Sequence, residues 1–129
     1  MRSAVIDASA AVEFATNEEI DLESFEADEL YSPHLIDLEF TQTMRSFVLR
    51  KKISPAEATG AVTAWAISRV IRCEHASLLP RVWQLRQSIT AYDASYVALA
   101  EKLEVPLLTA DRRLAASAAR HCEVVLIGG

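Results

Sequence analysis

Four acidic residues stand where the pattern of the chain begins a helix or ends a strand: Asp7 in VIDASA, Glu39 in LIDLEF, Asp93 in TAYDASYVALAE and Asp111 in LLTADRRL. Asp7 directly follows a short apolar run, and Asp111 lies just beyond another that ends at Thr109, so both fall at the carboxyl edge of the sheet those runs would form. Asp93 lies in the first turn of a helix beginning near Thr90. It heads a stripe of Tyr96, Val97 and Ala100, three, four and seven positions on, which turns it toward the sheet. Each acid also has a plainer use. Aspartate is among the best N-caps and suits the positive end of a helix, and Thr90 with Asp93 suits a capping arrangement. Glu39, flanked by Leu38 and Phe40 and continued by Gln42, Thr43 and Ser46, reads on spacing alone as a surface residue of a solvated face.

Taken together the four imply a cation. Two unit charges about 4 Å apart repel by about 1 kcal/mol in water and about 4 at an effective dielectric of 20, so carboxylates sharing a cleft need a counter-charge. Oxygen ligands without neighbouring histidine or cysteine suit a hard ion, Mg²⁺ or Mn²⁺, with water completing its shell. Such a site is suited to hydrolysing a phosphodiester, by in-line attack of an activated water with positive charge steadying the leaving oxygen. Ser9 and Thr109 are placed to orient waters behind the acids, and equally placed for purely structural hydroxyl contacts.

The elements that must position these residues alternate. Ser3–Ile6 reads as a strand, 10–15 as a helix, 30–32 as a brief strand before Pro33, and 35–50 as a helix. Ser54, Pro55 and Glu57 form a capping-box start for a helix to about Arg69. A candidate strand at 70–73, helices at 75–85 and 90–103, a strand at 106–109, a helix at 112–120 and a strand at 124–127 complete the chain. Strands alternating with helices predict an α/β fold whose short, mainly parallel central sheet is flanked by helices, with the functional crevice beyond the carboxyl ends of the strands.

The chain has 129 residues, enough for one sizeable core, and no linker or repeat divides it, so a single domain over 1–129 is expected. A hydrophobic fraction of 51% with 24% charged residues is the balance of an ordinary globule, not a disordered chain. The net charge of −5 lacks the broad basic field of a nonspecific polyanion binder. A local basic rim from Arg45, Arg50, Arg86, Arg112 and Arg113 remains available, with Arg86, Arg112 and Arg113 the candidates for phosphate contacts. Cys73 and Cys122 form no CxxC pair and read as buried thiols of a reducing cytoplasm. No signal-type segment or membrane-length apolar run is present in the sequence, so no membrane association is expected. Residues 18–29 read as a solvated acidic face, and Trp65 and Trp83 as core, with a partner groove or dimer contact as their alternative use.

The four segments carrying Asp7, Glu39, Asp93, and Thr109 with Asp111 resemble, in order and spacing, a PIN domain, and within that family the VapC toxins of bacterial toxin-antitoxin pairs. TAYDASYVALAE and LLTADRRL are the specific part; 51–87 carry no matching motif and follow the family in length and helical pattern. The resemblance implies a single PIN-like domain and a Mg²⁺- or Mn²⁺-dependent endoribonuclease with an RNA substrate. In it Asp7, Glu39, Asp93 and Asp111 form the acidic site and Asp7 and Asp93 ligate the metal, which lifts Glu39 from surface to site residue. It further implies a homodimer and a VapB-type antitoxin whose tail covers the site. Two alternatives stay open: a noncatalytic α/β interaction module whose acids are caps and surface charges, and a PIN nuclease of RNA processing without an antitoxin. A phosphotransfer enzyme with an aspartyl nucleophile is disfavoured, because Asp7-Ala8-Ser9 lacks a second aspartate two residues after the first.

Overall fold

The computed structural model describes residues 2–20 and 29–128. Five strands, β1 (Ser3–Ile6), β2 (Glu29–Pro33), β3 (Ile71–Cys73), β4 (Leu107–Thr109) and β5 (Val124–Leu126), lie all parallel in the order β3-β2-β1-β4-β5. The helices are α1 (Ala8–Thr16), α2 (Ile36–Leu49), α3 (Pro55–Ala66), α4 (Leu79–Gln84), α5 (Ala91–Leu103) and α6 (Arg112–Ala118), with a 3₁₀ turn at Ala76–Leu78. Parallel neighbours need long crossovers, and the intervening helices supply them. The chain winds from β1 through β2 to β3, then returns to the other side of β1 to add β4 and β5. The winding therefore reverses between β1 and β4, and a crevice opens beyond their carboxyl ends.

The core sits on this central pair. Val5 pairs with both Tyr31 and Leu107, and Val5, Ile6, Leu107 and Leu108 are all buried. Helix α5 packs on β1, β2 and β4 and on α4, and residues 94–100 are buried without a break. The expected one-sided stripe is therefore an enclosed helix, which Ala94, Ser95, Ala98 and Ala100 permit by being small. The buried Ser95 hydroxyl is satisfied by donating to the Tyr92 carbonyl at 2.6 Å.

Helix α3 starts with the expected capping box, the Ser54 hydroxyl accepting the Glu57 N–H at 3.1 Å and the Glu57 carboxylate the Ser54 N–H at 3.0 Å. It ends at Ala66 instead of running to Arg69. The cause is Arg72, whose guanidinium donates to the carbonyls of Trp65, Ser68 and Val70 at 2.8, 3.2 and 2.9 Å and so takes acceptors a further turn would use. Arg72 also lies over the Trp65 ring and shares Asp37 Oδ1 with the Trp65 indole N–H, at 3.0 and 2.7 Å. Trp65 stacks on Phe40 with centroids 5.0 Å apart, joining α3 to α2.

Three other expectations are corrected. The helix read over 75–85 is a 3₁₀ turn followed by the six-residue α4, because Pro80 lacks an N–H and is tolerated only in a first turn. Trp83 is not core: it is 66% exposed, with the Arg86 guanidinium over its ring, since Val82 and Leu85 already fill the inward side of α4. Cys73 and Cys122 are half-buried, one in the edge strand β3 and the other just before the opposite edge strand β5. In the acidic stretch, Glu18 and Glu19 are exposed, and 21–28 lie outside the described residues. No helix among the described residues is long and apolar enough to cross a membrane.

Candidate active site

Asp7 leaves β1 in an extended conformation and caps α1, so the plain capping role is real. It is not the whole of its situation. The residue is only 4% exposed, and its carboxylate accepts three hydrogen bonds: at Oδ1 from the Ala10 N–H (2.9 Å) and the Ser9 hydroxyl (2.8 Å), at Oδ2 from the Thr109 hydroxyl (2.5 Å). Burial pushes its pKa up to about 6; the donors Thr109, Ala10 and Ser9 pull it down and the charge of Asp93 adds a smaller upward push.

Ser9 and Thr109 stitch the turn after β1 to the turn after β4. Ser9 Oγ accepts the Ala110 N–H at 2.9 Å, and Thr109 Oγ1 accepts the Asp111 N–H at 3.0 Å. Both hydroxyl protons are then committed to Asp7, so the 3.2 Å approach of Ser9 Oγ to Thr109 Oγ1 is a contact between two oxygens held by the same carboxylate.

Asp111 caps α6, with Oδ1 accepting the N–H groups of Arg113 and Leu114 at 2.9 and 3.2 Å. Asp93 sits in the first turn of α5, where Thr90 caps the helix by accepting the Asp93 N–H at 3.2 Å. Its pKa is raised by burial first and by the charge of Asp111 second. Glu39 is half-buried on α2, not solvated. Burial raises its pKa, a hydrogen bond from Tyr96 opposes this, and the charge of Asp93 raises it further. Asp93 thus feels or is felt by each of the other three acids, which makes it the electrostatic centre of the group.

All four acids line one cleft of about 420 Å³, together with Ala8, Ser9, Leu38, Gln42, Thr43 and Tyr96. No lysine, arginine or histidine is among those lining residues, and Arg86, Arg112 and Arg113 stand exposed outside it. Thr109 is fully buried behind Asp7. Gln42 and Thr43 follow Glu39 into the cleft, as one helix face requires, while Ser46 does not reach it. Tyr96 was legible only as core, and it is core, 1% exposed; its hydroxyl nevertheless reaches Glu39 Oε1 at 2.5 Å. The signal was its spacing of three from Asp93, which puts the two on one face.

The donor set fits a hard cation. It is oxygen-only, burial and the charge of a neighbouring acid raise the pKa of Asp7, Glu39 and Asp93, and a nearby positive charge would oppose both effects. Among the described residues no three acidic, histidine or cysteine side chains converge tightly enough to hold an ion as they stand.

The PIN domain family model matches residues 4–120 of this chain. The chain is 36% identical over 123 residues to VapC ribonuclease Mb0985 of Mycobacterium bovis, covering 95% of this chain and 97% of that one. It is 44% identical over 97 residues to ribonuclease VapC1 of Mycobacterium tuberculosis, covering 74% and 73% respectively. The crystal structure of PAE2754 from Pyrobaculum aerophilum has a TM-score of 0.74 at 25% identity, covering 96% of this chain and 91% of that one.

Proposed function

The chain belongs to the PIN-domain family, with VapC ribonucleases as its relatives, and on that premise we propose that it is the endoribonuclease toxin of a toxin-antitoxin pair, hydrolysing RNA phosphodiester bonds at the Asp7, Glu39, Asp93 and Asp111 cleft. The observation that carries this reading is the cleft itself, four carboxylates with no basic side chain among its lining residues. Like charges gathered in a partly buried space are unfavourable without a cation, and an RNA phosphate would be repelled without one. The whole of 1–129 is then one nuclease domain acting in the cytoplasm.

Asp7 and Asp93 would hold the ion, Mg²⁺ or Mn²⁺, which when bound supplies a water acidic enough to attack phosphorus and positive charge for the leaving oxygen. The protein's part is orientation. Ser9, Thr109 and the Ala10 N–H fix both oxygens of Asp7, so that carboxylate meets its ligand with its torsions already set. Asp111, with Oδ1 tied to the start of α6, and Glu39, tied to Tyr96, flank Asp93 and complete the acidic wall. A cation held there would favour the ionised form of Asp7 that burial disfavours.

The cognate partner is a VapB-type antitoxin segment lying over this cleft, and a second copy of the chain makes a homodimer. Leu38, 76% exposed at the cleft mouth, offers that segment an apolar contact. The deciding experiment is cleavage of a mixed set of labelled RNAs with Mg²⁺, Mn²⁺ or EDTA, beside an Asp7→Asn, Asp93→Asn double variant. Cutting that needs the metal and vanishes in the variant is expected. Uncut RNA together with no heat of metal binding by the folded chain would replace the enzyme with an interaction module.

A further inference from the structure

Glu39 poses a mechanical problem. A glutamate has three side-chain torsions, it lies beside the like charge of Asp93, and solvent is within reach, so repulsion and entropy both favour its swinging away from the cleft. The contact holding it in place comes from Tyr96 on α5, 57 residues later, whose hydroxyl donates to Glu39 Oε1 at 2.5 Å. Phenylalanine would pack the same space. The hydroxyl is what distinguishes tyrosine here, and in a side chain 1% exposed it requires a partner.

The phenol suits the task because it is rigid and anchored. Its position is set by close packing within the buried run 94–100, on a helix seated on β1, β2 and β4, whereas α2 packs on α1 and α3. The bond therefore fixes a group on one layer of helices from a different, better-buried one. A hydroxyl donating to an ionised carboxylate is also among the stronger hydrogen bonds. Among the described residues no side chain or backbone N–H donates to Oε2, and it is not a buried unpartnered atom, so it is the oxygen available to the cleft that Glu39 lines. We propose that Tyr96 is a positioning residue of the acidic site, holding Oε1 of Glu39 so that Oε2 is presented to the bound cation and its waters. This rests on the metal-dependent reading above and adds to it a residue that touches neither ion nor RNA.

The test is Mn²⁺ titration of the full chain by calorimetry, with RNA cleavage alongside, for the wild type, Tyr96→Phe, Glu39→Asp, Glu39→Ala and the Tyr96→Phe, Glu39→Ala pair. Tyr96→Phe keeps the ring and should leave the cooperative melt intact while weakening Mn²⁺ binding about tenfold or more, the usual scale for losing a group that orients a ligand. Glu39→Asp retains the charge, is too short for the phenol and leaves the core untouched, so it should lose a similar factor even if Tyr96→Phe melts early. On the Glu39→Ala background, Tyr96→Phe should have no further effect on binding, because the carboxylate it orients is gone. Binding by Tyr96→Phe within twofold of the wild type, or a loss of equal size on the Glu39→Ala background, would overturn the positioning role alone. A wild type that binds no Mn²⁺ and cuts no RNA would overturn the nuclease reading and this role with it.

Discussion

Asp7→Asn should abolish cleavage and at the same time stabilise the metal-free protein at neutral pH. The folded-state pKa of Asp7 is raised from 3.8 to about 6, so the ionised form is the one that folding disfavours. The penalty is absent below about pH 3.8, grows between there and about pH 6, and is complete above it. A shift of about two units corresponds to about 3 kcal/mol at pH 7, and with the residue 4% exposed little is lost to solvent screening. Asparagine caps a helix as well as aspartate and keeps an oxygen for Ala10 and Ser9. Its amide cannot accept the Thr109 proton, which sets back about 1 kcal/mol. The net gain is then about 2 kcal/mol, or a rise in Tm of about 4–8 °C for a domain of this size. The assay is thermal melting in EDTA from pH 4 to pH 8, and the gap should close toward pH 4. Added Mn²⁺ should raise the Tm of the wild type and leave the variant unmoved. A variant no more stable than the wild type at pH 7, or a gap independent of pH, would refute the view that burial sets the electrostatics of this cleft.

Thr109→Val keeps the shape of a fully buried side chain but removes the donor to Asp7 and the acceptor of the Asp111 N–H, so the unfolding free energy should fall by about 2–4 kcal/mol, read as a lower denaturation midpoint at unchanged slope, while Thr109→Ser stays near the wild type. Its Mn²⁺ affinity should fall about 10- to 100-fold in the same titration that reads Tyr96. Glu104 ends α5 at φ 56 and ψ 47, the left-handed conformation that glycine adopts freely, so Glu104→Gly should raise stability by up to about 1 kcal/mol in chemical denaturation without touching metal binding.

Much of this molecule was written locally. The starts of α1, α3, α5 and α6 follow from Asp7, Ser54 with Glu57, Thr90 and Asp111, because an N-cap is a contact between residues two or three apart. Alternation of apolar strands with helices was enough to give a parallel α/β sheet with its crevice at the carboxyl edge, and Asp7 and Asp111 pointed to the ends of two strands there; that the winding reverses between those two is a matter of strand order, which the tertiary structure decides. What sequence could not decide is whatever depends on distant chain. Whether Glu39 is solvated or turned inward depends on the phenol of Tyr96, and where α3 stops depends on Arg72 folding back. Trp83 and Trp65 look alike in sequence, and only the packing around α4 and α2 sends one outward and stacks the other. Asp7 is a cap by sequence. It becomes a buried carboxylate with a pKa near 6 because the surrounding fold strips water from it, a rise that the hydroxyl of Thr109, 102 residues away, partly opposes, and desolvation is a property of everything that surrounds a group and not of its neighbours along the chain.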